Sequence, residues 1–222
     1  MKIKQLHSWD VTPREARAIQ ESLREGVIAS WNKISVKTVV GTDISFPSKN
    51  EVLAAAVVVA YPEMEVLETK IRRGPNTFPY VPGLLSFREA PMLAEVLGAL
   101  SAEPDVILCD GQGLAHPRGM GLACHVGLLA DRAAIGCAKS RLFGTFDPPG
   151  EAKGQWSALL GKDGETIGAV LRTRFGVSPV YVSIGHRITL GVALDIVLNC
   201  SPKYRIPEPL RLAHNLAAGR PV

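Results

Sequence analysis

Val106-Ile107-Leu108-Cys109-Asp110, followed by Gly111-Gln112-Gly113-Leu114-Ala115-His116-Pro117-Arg118-Gly119-Met120-Gly121, is the stretch on which the reading of this chain turns. The apolar run, closed by an acid and a glycine-rich loop, predicts a short strand buried on both faces. The loop opens a helix from about Gly121 to Asp131, and Ala133–Ala138 reads as the next strand. Strand, helix and strand in that order make a crossover between parallel neighbours. Upstream lie three strand-like runs, Val36–Ser45, Val52–Tyr61 and Val66–Arg72, joined by the turns Pro47-Ser48-Lys49-Asn50 and Pro62-Glu63. Their spacing predicts an antiparallel meander. A meander that passes into crossovers gives one α/β domain over residues 1–222, a mixed sheet with helices on both faces.

The remaining elements fit that frame. Thr12-Pro13-Arg14-Glu15 has the form of a capping box with proline at the first helical position. Ala16, Ile19, Leu23 and Val27 follow at helical spacing, so a helix is expected over residues 13–30. Ser86-Phe87-Arg88-Glu89 reads as a second capping box, with Pro91 awkwardly placed behind it. Residues 165–174 and 178–184 read as strands, Thr189–Asn199 and Glu208–Ala218 as helices.

Composition narrows the function classes. Of 222 residues, 46% are apolar and 21% charged, an ordinary globular balance. The longest apolar run, Val52–Tyr61, is too short to cross a bilayer, and the N-terminus has no apolar segment of the signal type. Cys109, Cys124, Cys137 and Cys200 lack CxxC spacing and lie in apolar stretches, so they read as buried free thiols in a reducing compartment. A cytoplasmic protein without a membrane partner is the expectation. The net charge of +4 does not by itself announce a nucleic-acid binder, and its clusters over residues 132–141 and 201–222 also fit a solvated surface.

Three acids stand out. Asp43 interrupts the apolar strand Val39-Val40-Gly41-Thr42-Asp43-Ile44, Asp110 ends a buried strand, and Glu89 opens a helix. Carboxylates in such places are costly to ionise without a compensating cation or donor. Together they form an oxygen-rich site suited to Mg²⁺ or Mn²⁺ and to phosphodiester hydrolysis. Each has a second reading: Glu89 closing its capping box with Ser86, Asp110 forming a turn before Gly111. Phe78-Pro79-Tyr80-Val81-Pro82-Gly83 is unusual, because two prolines hold an aromatic side chain on a stiff, extended backbone. A side chain inserted between bases needs that stiffness, and a surface aromatic packed on its own loop is the other reading. The loop after Asp110 fails the dinucleotide fingerprint, since His116 occupies the third glycine position, and Lys139 follows Ala138 rather than the glycine of a phosphate loop. His125 lies within an apolar helix and reads as a core residue, while His7 and His186 have no partner visible in the sequence.

Pro79-Tyr80-Val81-Pro82-Gly83-Leu84-Leu85-Ser86-Phe87-Arg88-Glu89, with Asp110-Gly111-Gln112-Gly113-x-x-His116-Pro117-Arg118, resembles the endonuclease V (deoxyinosine 3′-endonuclease) family. Gly41-Thr42-Asp43, Ala138-Lys139-Ser140 and His214 also fall where that family places its functional groups, so the resemblance runs from about Pro13 to Gly219. Val81 in place of isoleucine and Cys109 in place of an aliphatic residue are departures that remove no functional group. The resemblance implies a ribonuclease H-like fold. It implies an Mg²⁺-dependent nuclease, Mn²⁺ able to substitute, that cleaves the second phosphodiester bond 3′ to hypoxanthine and leaves 3′-hydroxyl and 5′-phosphate ends. Asp43 and Asp110 would bind metal, Glu89 and His214 would complete the catalytic cluster, and Lys139 would hold the scissile phosphate or the attacking water. Tyr80 would be a wedge filling the space of the everted base. Gly83, Leu85, Gly111 and Gly113 would lie at or near the base pocket, with His116 and Leu142. The implied partner is DNA containing deaminated bases, bound by a monomer. A nuclease of the same fold acting on inosine-containing RNA or RNA–DNA hybrids remains an alternative, as does a non-catalytic lesion or mismatch binder.

Overall fold

The computed structural model describes residues 1–33 and 35–222. The three upstream runs become β1 (Thr38–Ser48), β2 (Glu51–Ala60) and β3 (Val66–Pro75), a meander paired antiparallel. β4 (Val106–Cys109) lies parallel to β1, and β5 (Ala133–Ala138) parallel to β4. Three further strands, β6 (Trp156–Leu160), β7 (Thr166–Leu171) and β8 (Val180–His186), complete an eight-stranded sheet in the order β3-β2-β1-β4-β5-β8-β7-β6. β6 escapes the sequence reading because only Leu159 of its five residues is fully buried, so an outermost strand leaves no run or alternation to see.

Alternate side chains of β1 enter two separate cores. Val39 joins Leu194, Val197, Leu210 and Ala213 of α4 (Leu190–Asn199) and α5 (Glu208–Ala217). Val40 joins Leu93, Leu97, Ala123 and Val126 of α2 (Leu85–Gly98) and α3 (Leu122–Ala130). The sheet is therefore covered on both faces, which is why its central strands read as continuous apolar runs. The four cysteines are free and buried in these layers. No helix among the described residues is long and apolar enough to cross a membrane.

Several elements depart from the sequence reading. α1 (Pro13–Arg24) begins at the expected capping box, with Thr12 and Glu15 exchanging side-chain-to-backbone hydrogen bonds, but ends six residues early. After Gly26 the chain finds another partner, the Ile28 N–H donating to His186 Nδ1 at 3.2 Å. His186 thus has a partner, and so does His7, whose Nε2 lies 2.7 Å from Nε2 of the buried His125. The second capping box does not form. α2 starts at Leu85 with no side-chain cap, and Ser86 is buried, its hydroxyl accepting from Gln20 Nε2 at 3.4 Å. Glu89 is consequently free of a capping role.

Candidate active site and base pocket

Register brings the acids together. Thr42 of β1 pairs with Cys109 of β4, so Asp43 and Asp110, one residue further on, emerge side by side at the same edge of the sheet. Cys109 pairs with Gly136 of β5, so the chain leaves β5 at that edge and delivers Lys139. α5 lies directly on β1: a Cβ at Gly41 would overlap the Pro209 carbonyl group. That close approach sets His214 over Asp43, with Nδ1 donating to Oδ2 at 2.8 Å. Lys139 Nζ forms an ion pair with Asp110 Oδ2. Arg205 fixes the backbone at this point, its guanidinium donating to the Lys139 carbonyl at 2.6 Å and to that of Pro179 at 2.8 Å.

The electrostatics of the cluster are unbalanced. Burial and the neighbouring charges of Asp43 and Asp110 push the Glu89 carboxyl up to about 8, against a smaller opposing effect of Arg88. Burial and Asp110 also raise Asp43, although His214 and Lys139 pull the other way. Burial would lower Lys139, but its hydrogen bond to Asp110 and the charges of Asp110 and Asp43 raise it above the ordinary lysine value. Three partly buried carboxyl groups thus gather beside the Arg88 guanidinium, with the exposed Lys139 ammonium and His214 imidazole over them. Oxygen donors short of positive charge suit a hard divalent cation. They do not form a finished cage, and among the described residues no three His, Cys, Asp or Glu side chains converge on one point. Lys139 and His214 hold the oxygens that a cation would take.

Beside the cluster opens a cavity of about 330 Å³ whose lining includes Asp110, Lys139, Tyr80, Leu85 and Leu142. Gly83, Gly111 and His116 line it as well. Tyr80 is 70% exposed at its mouth, and Leu142 is half exposed. Gly113 adjoins the lining residue Gln112. It is not in the lining; its N–H donates to Ser183 Oγ at 2.8 Å, and a Cβ there would overlap the Ile184 carbonyl, so its glycine serves backbone packing against β8. His116 lines the cavity with both ring nitrogens engaged: Nδ1 accepts from the Arg118 N–H at 3.1 Å and Nε2 faces the Gly83 carbonyl at 3.0 Å. Burial and the Arg118 charge hold its pKa down at about 4.

Gln20, Gln112, Ser86 and Ser140 also line the cavity, and Arg118 reaches its Gly83 corner; the sequence reading gave Ser86 only a helix cap and the others no role in the site. Gln20 carried a usable signal, since it lies one turn after Ala16 on the inward face of α1, where a polar side chain needs partners. Gln112 and Ser140 meet through the Gln112 amide and the Ser140 carbonyl at 3.0 Å, a contact between loops that no local pattern announces.

A two-core α/β sheet with acids at the ends of its central strands, beside a pocket with an exposed aromatic at the mouth, is the build of a ribonuclease H-like nuclease. Residues 21–215 match the Endonuclease V family profile. An Endonuclease V of Nostoc sp. is 48% identical over 99% of this chain and 100% of its own. The crystal structure of the Streptomyces avermitilis Endonuclease V superposes with a TM-score of 0.91 at 40% identity, covering 99% of this chain and 97% of that one. That of the Ciona intestinalis Endonuclease V, in complex with DNA containing an inosine followed by a ribo-adenosine, superposes with a TM-score of 0.83 at 29% identity, covering 93% and 96%. The chain belongs to the endonuclease V family.

Proposed function

We propose that this protein is a divalent-metal-dependent endonuclease that recognises hypoxanthine in DNA and hydrolyses the second phosphodiester bond on its 3′ side, leaving 3′-hydroxyl and 5′-phosphate ends. The observation that carries the reading is the shared wall: Asp110 and Lys139 belong both to the acidic cluster and to the cavity that Tyr80 overhangs. A base held in that cavity keeps its own strand beside the carboxylates. The inosine-containing DNA bound by the Ciona relative supports the substrate class.

Asp43 and Asp110 would hold the cation, Mg²⁺ by the chemistry of the donors, with Glu89 as the third carboxyl group whose charge is felt by both. Such an ion supplies charge neutralisation at the phosphate and a more acidic water. The residues do the rest. Lys139, paired with Asp110 at the cavity wall, would offer its ammonium group to the scissile phosphate. His214, its Nδ1–H fixed by Asp43, leaves Nε2 toward solvent, where it orients a water or takes its proton. Tyr80 stacks into the gap left by the everted base, restoring part of the lost stacking.

A nicking assay on a duplex with a single inosine tests the reading, run with and without Mg²⁺, with inosine-containing RNA and a matched RNA–DNA hybrid as competing substrates. Mg²⁺-dependent nicking of the inosine duplex, one nucleotide beyond the lesion, is expected. Preference for the RNA substrates would replace the substrate class, and binding without nicking would leave a lesion-binding protein.

A further inference from the structure

The Gly83 carbonyl, at the end of the Pro79–Pro82 segment, receives more donors than any ordinary turn needs. Gln20 Nε2 lies 3.1 Å from it, Arg118 Nη2 2.6 Å and His116 Nε2 3.0 Å. The donors are themselves interlocked. Gln20 Oε1 accepts from Arg118 Nε at 2.7 Å, and its amide also reaches the Met120 carbonyl at 3.0 Å. His116 Nδ1 accepts from the Arg118 backbone, which fixes the ring hydrogen on Nε2 and so its role as donor to Gly83. Gly83 has φ +77°, and a Cβ there would come within 2.9 Å of Arg118 Nη2. Glycine is needed both for the turn and for the approach of the guanidinium. A carbonyl oxygen has two lone pairs, so three donors leave it nothing to offer a base.

We infer that Gln20 and Arg118, with His116, are positioning residues that clamp the Gly83 carbonyl and hold Tyr80 ready to insert. The inference rests on the wedge reading of Tyr80. Leu84 donates to the Val81 carbonyl at 2.9 Å, closing a tight turn around Pro82 and Gly83. The turn runs directly into α2, and the clamp ties its Gly83 corner to α1 and to the loop before α3. Between them Pro79 and Pro82 remove backbone freedom, so an anchored Gly83 leaves the Tyr80 segment little left to lose on insertion. His116 and Gly83 thereby act on the base indirectly, through the shape of the pocket wall.

The test compares Gln20→Leu, Tyr80→Ala and the double variant on a single-inosine duplex and on the same strand alone. Gln20→Leu keeps the size and is uncharged, so a loss of phosphate attraction does not enter. Three- to tenfold weaker duplex binding is expected, with a clearly smaller loss on the single strand, and with faster hydrogen exchange at residues 76–84. The double variant should be no worse than Tyr80→Ala. Equal losses on both substrates, no loss on either, or additive losses would overturn the clamp. Arg118→Lys, which keeps the charge and loses the paired contacts to Gln20 and Gly83, gives the same comparison should Gln20→Leu fail to fold. If Tyr80→Ala shows no duplex-specific loss, the wedge reading falls by that arm alone. If it does and Gln20→Leu does not, only the clamp falls.

Discussion

At the carboxylate end of the cleft, Asp43, Glu89 and Asp110 crowd together with too little positive charge, and burial lifts Glu89 to about 8. At the wedge end, both polar atoms of Gln20 and both ring nitrogens of His116 are matched to partners within the protein. The two ends share a wall and differ in what they are built to receive. Unbalanced charge awaits a cation and a phosphate, which together complete its electrostatics. A satisfied network awaits nothing; it holds a shape, so that little ordering remains for the moment of binding.

The contrast breaks most visibly at the carboxylates. Asp43→Asn or Asp110→Asn should lower Mg²⁺-dependent nicking by roughly a thousandfold or more, since a cation site of this kind supplies several kcal/mol. Binding to the inosine duplex should stay within a few-fold, because phosphate contacts elsewhere carry affinity. Either variant nicking at near the wild-type rate would remove the metal assignment.

Lys139→Ala and His214→Ala come next. A positioned group at a developing phosphorane charge is commonly worth about 2–4 kcal/mol, or about a hundredfold in single-turnover rate. If binding falls instead and the rate holds, these are surface contacts.

Tyr80→Ala moves the comparison to the other end. Stacking on a base is worth about 1–3 kcal/mol by alanine substitution, so duplex binding and selection for inosine should weaken by that amount. The loss should be smaller on single-stranded inosine DNA, and Tyr80→Phe should be nearly neutral, because the ring and not the hydroxyl does the stacking. Equal losses on duplex and single strand would make Tyr80 a general contact.

The last effect is in pH. His116 is held neutral, near 4, by burial and Arg118, and His125 near 3 by burial and His7. The unfolded chain takes up protons near 6.5 and the folded one far lower, so stability present above 6.5 is lost as pH falls toward 4. Glu89, raised to about 8, gains stability over the same range, so the histidine contribution is read as a difference: between pH 7 and pH 4 the wild type should lose more urea stability than His116→Asn, by up to about 3 kcal/mol. Equal losses would assign the whole histidine contribution to His125.

Much of this was legible along the chain. Val106 to Ala138 carries its crossover openly, since strands buried on both faces must be continuously apolar and a helix must open and close between them. Asp43 was conspicuous for the same reason, an acid inside such a strand. The failures were also physical. Ser86 has the residue type of a helix cap, yet α2 starts one residue earlier and Gln20, sixty-six positions away, takes its hydroxyl. Gly113 sits beside the pocket, but the need for a glycine there comes from β8, whose Ile184 carbonyl leaves no room for a Cβ, and the loop's own sequence does not show that.

The sequence by itself determined the order of elements, the two apolar layers, the stiff Pro79–Pro82 segment and the chemical character of the acids. Periodicity, proline geometry and the cost of burying charge are local properties, written into neighbouring residues. Only the tertiary structure decided which groups meet. Asp43 reaches His214 across 171 positions because α5 seats its backbone on Gly41, and Gln20 reaches Gly83 across 63 because α1 folds back over the loop that follows β3. A hydrogen bond between such partners depends on the packing of whole layers, and no stretch of chain short enough to be read as a motif contains both ends of it.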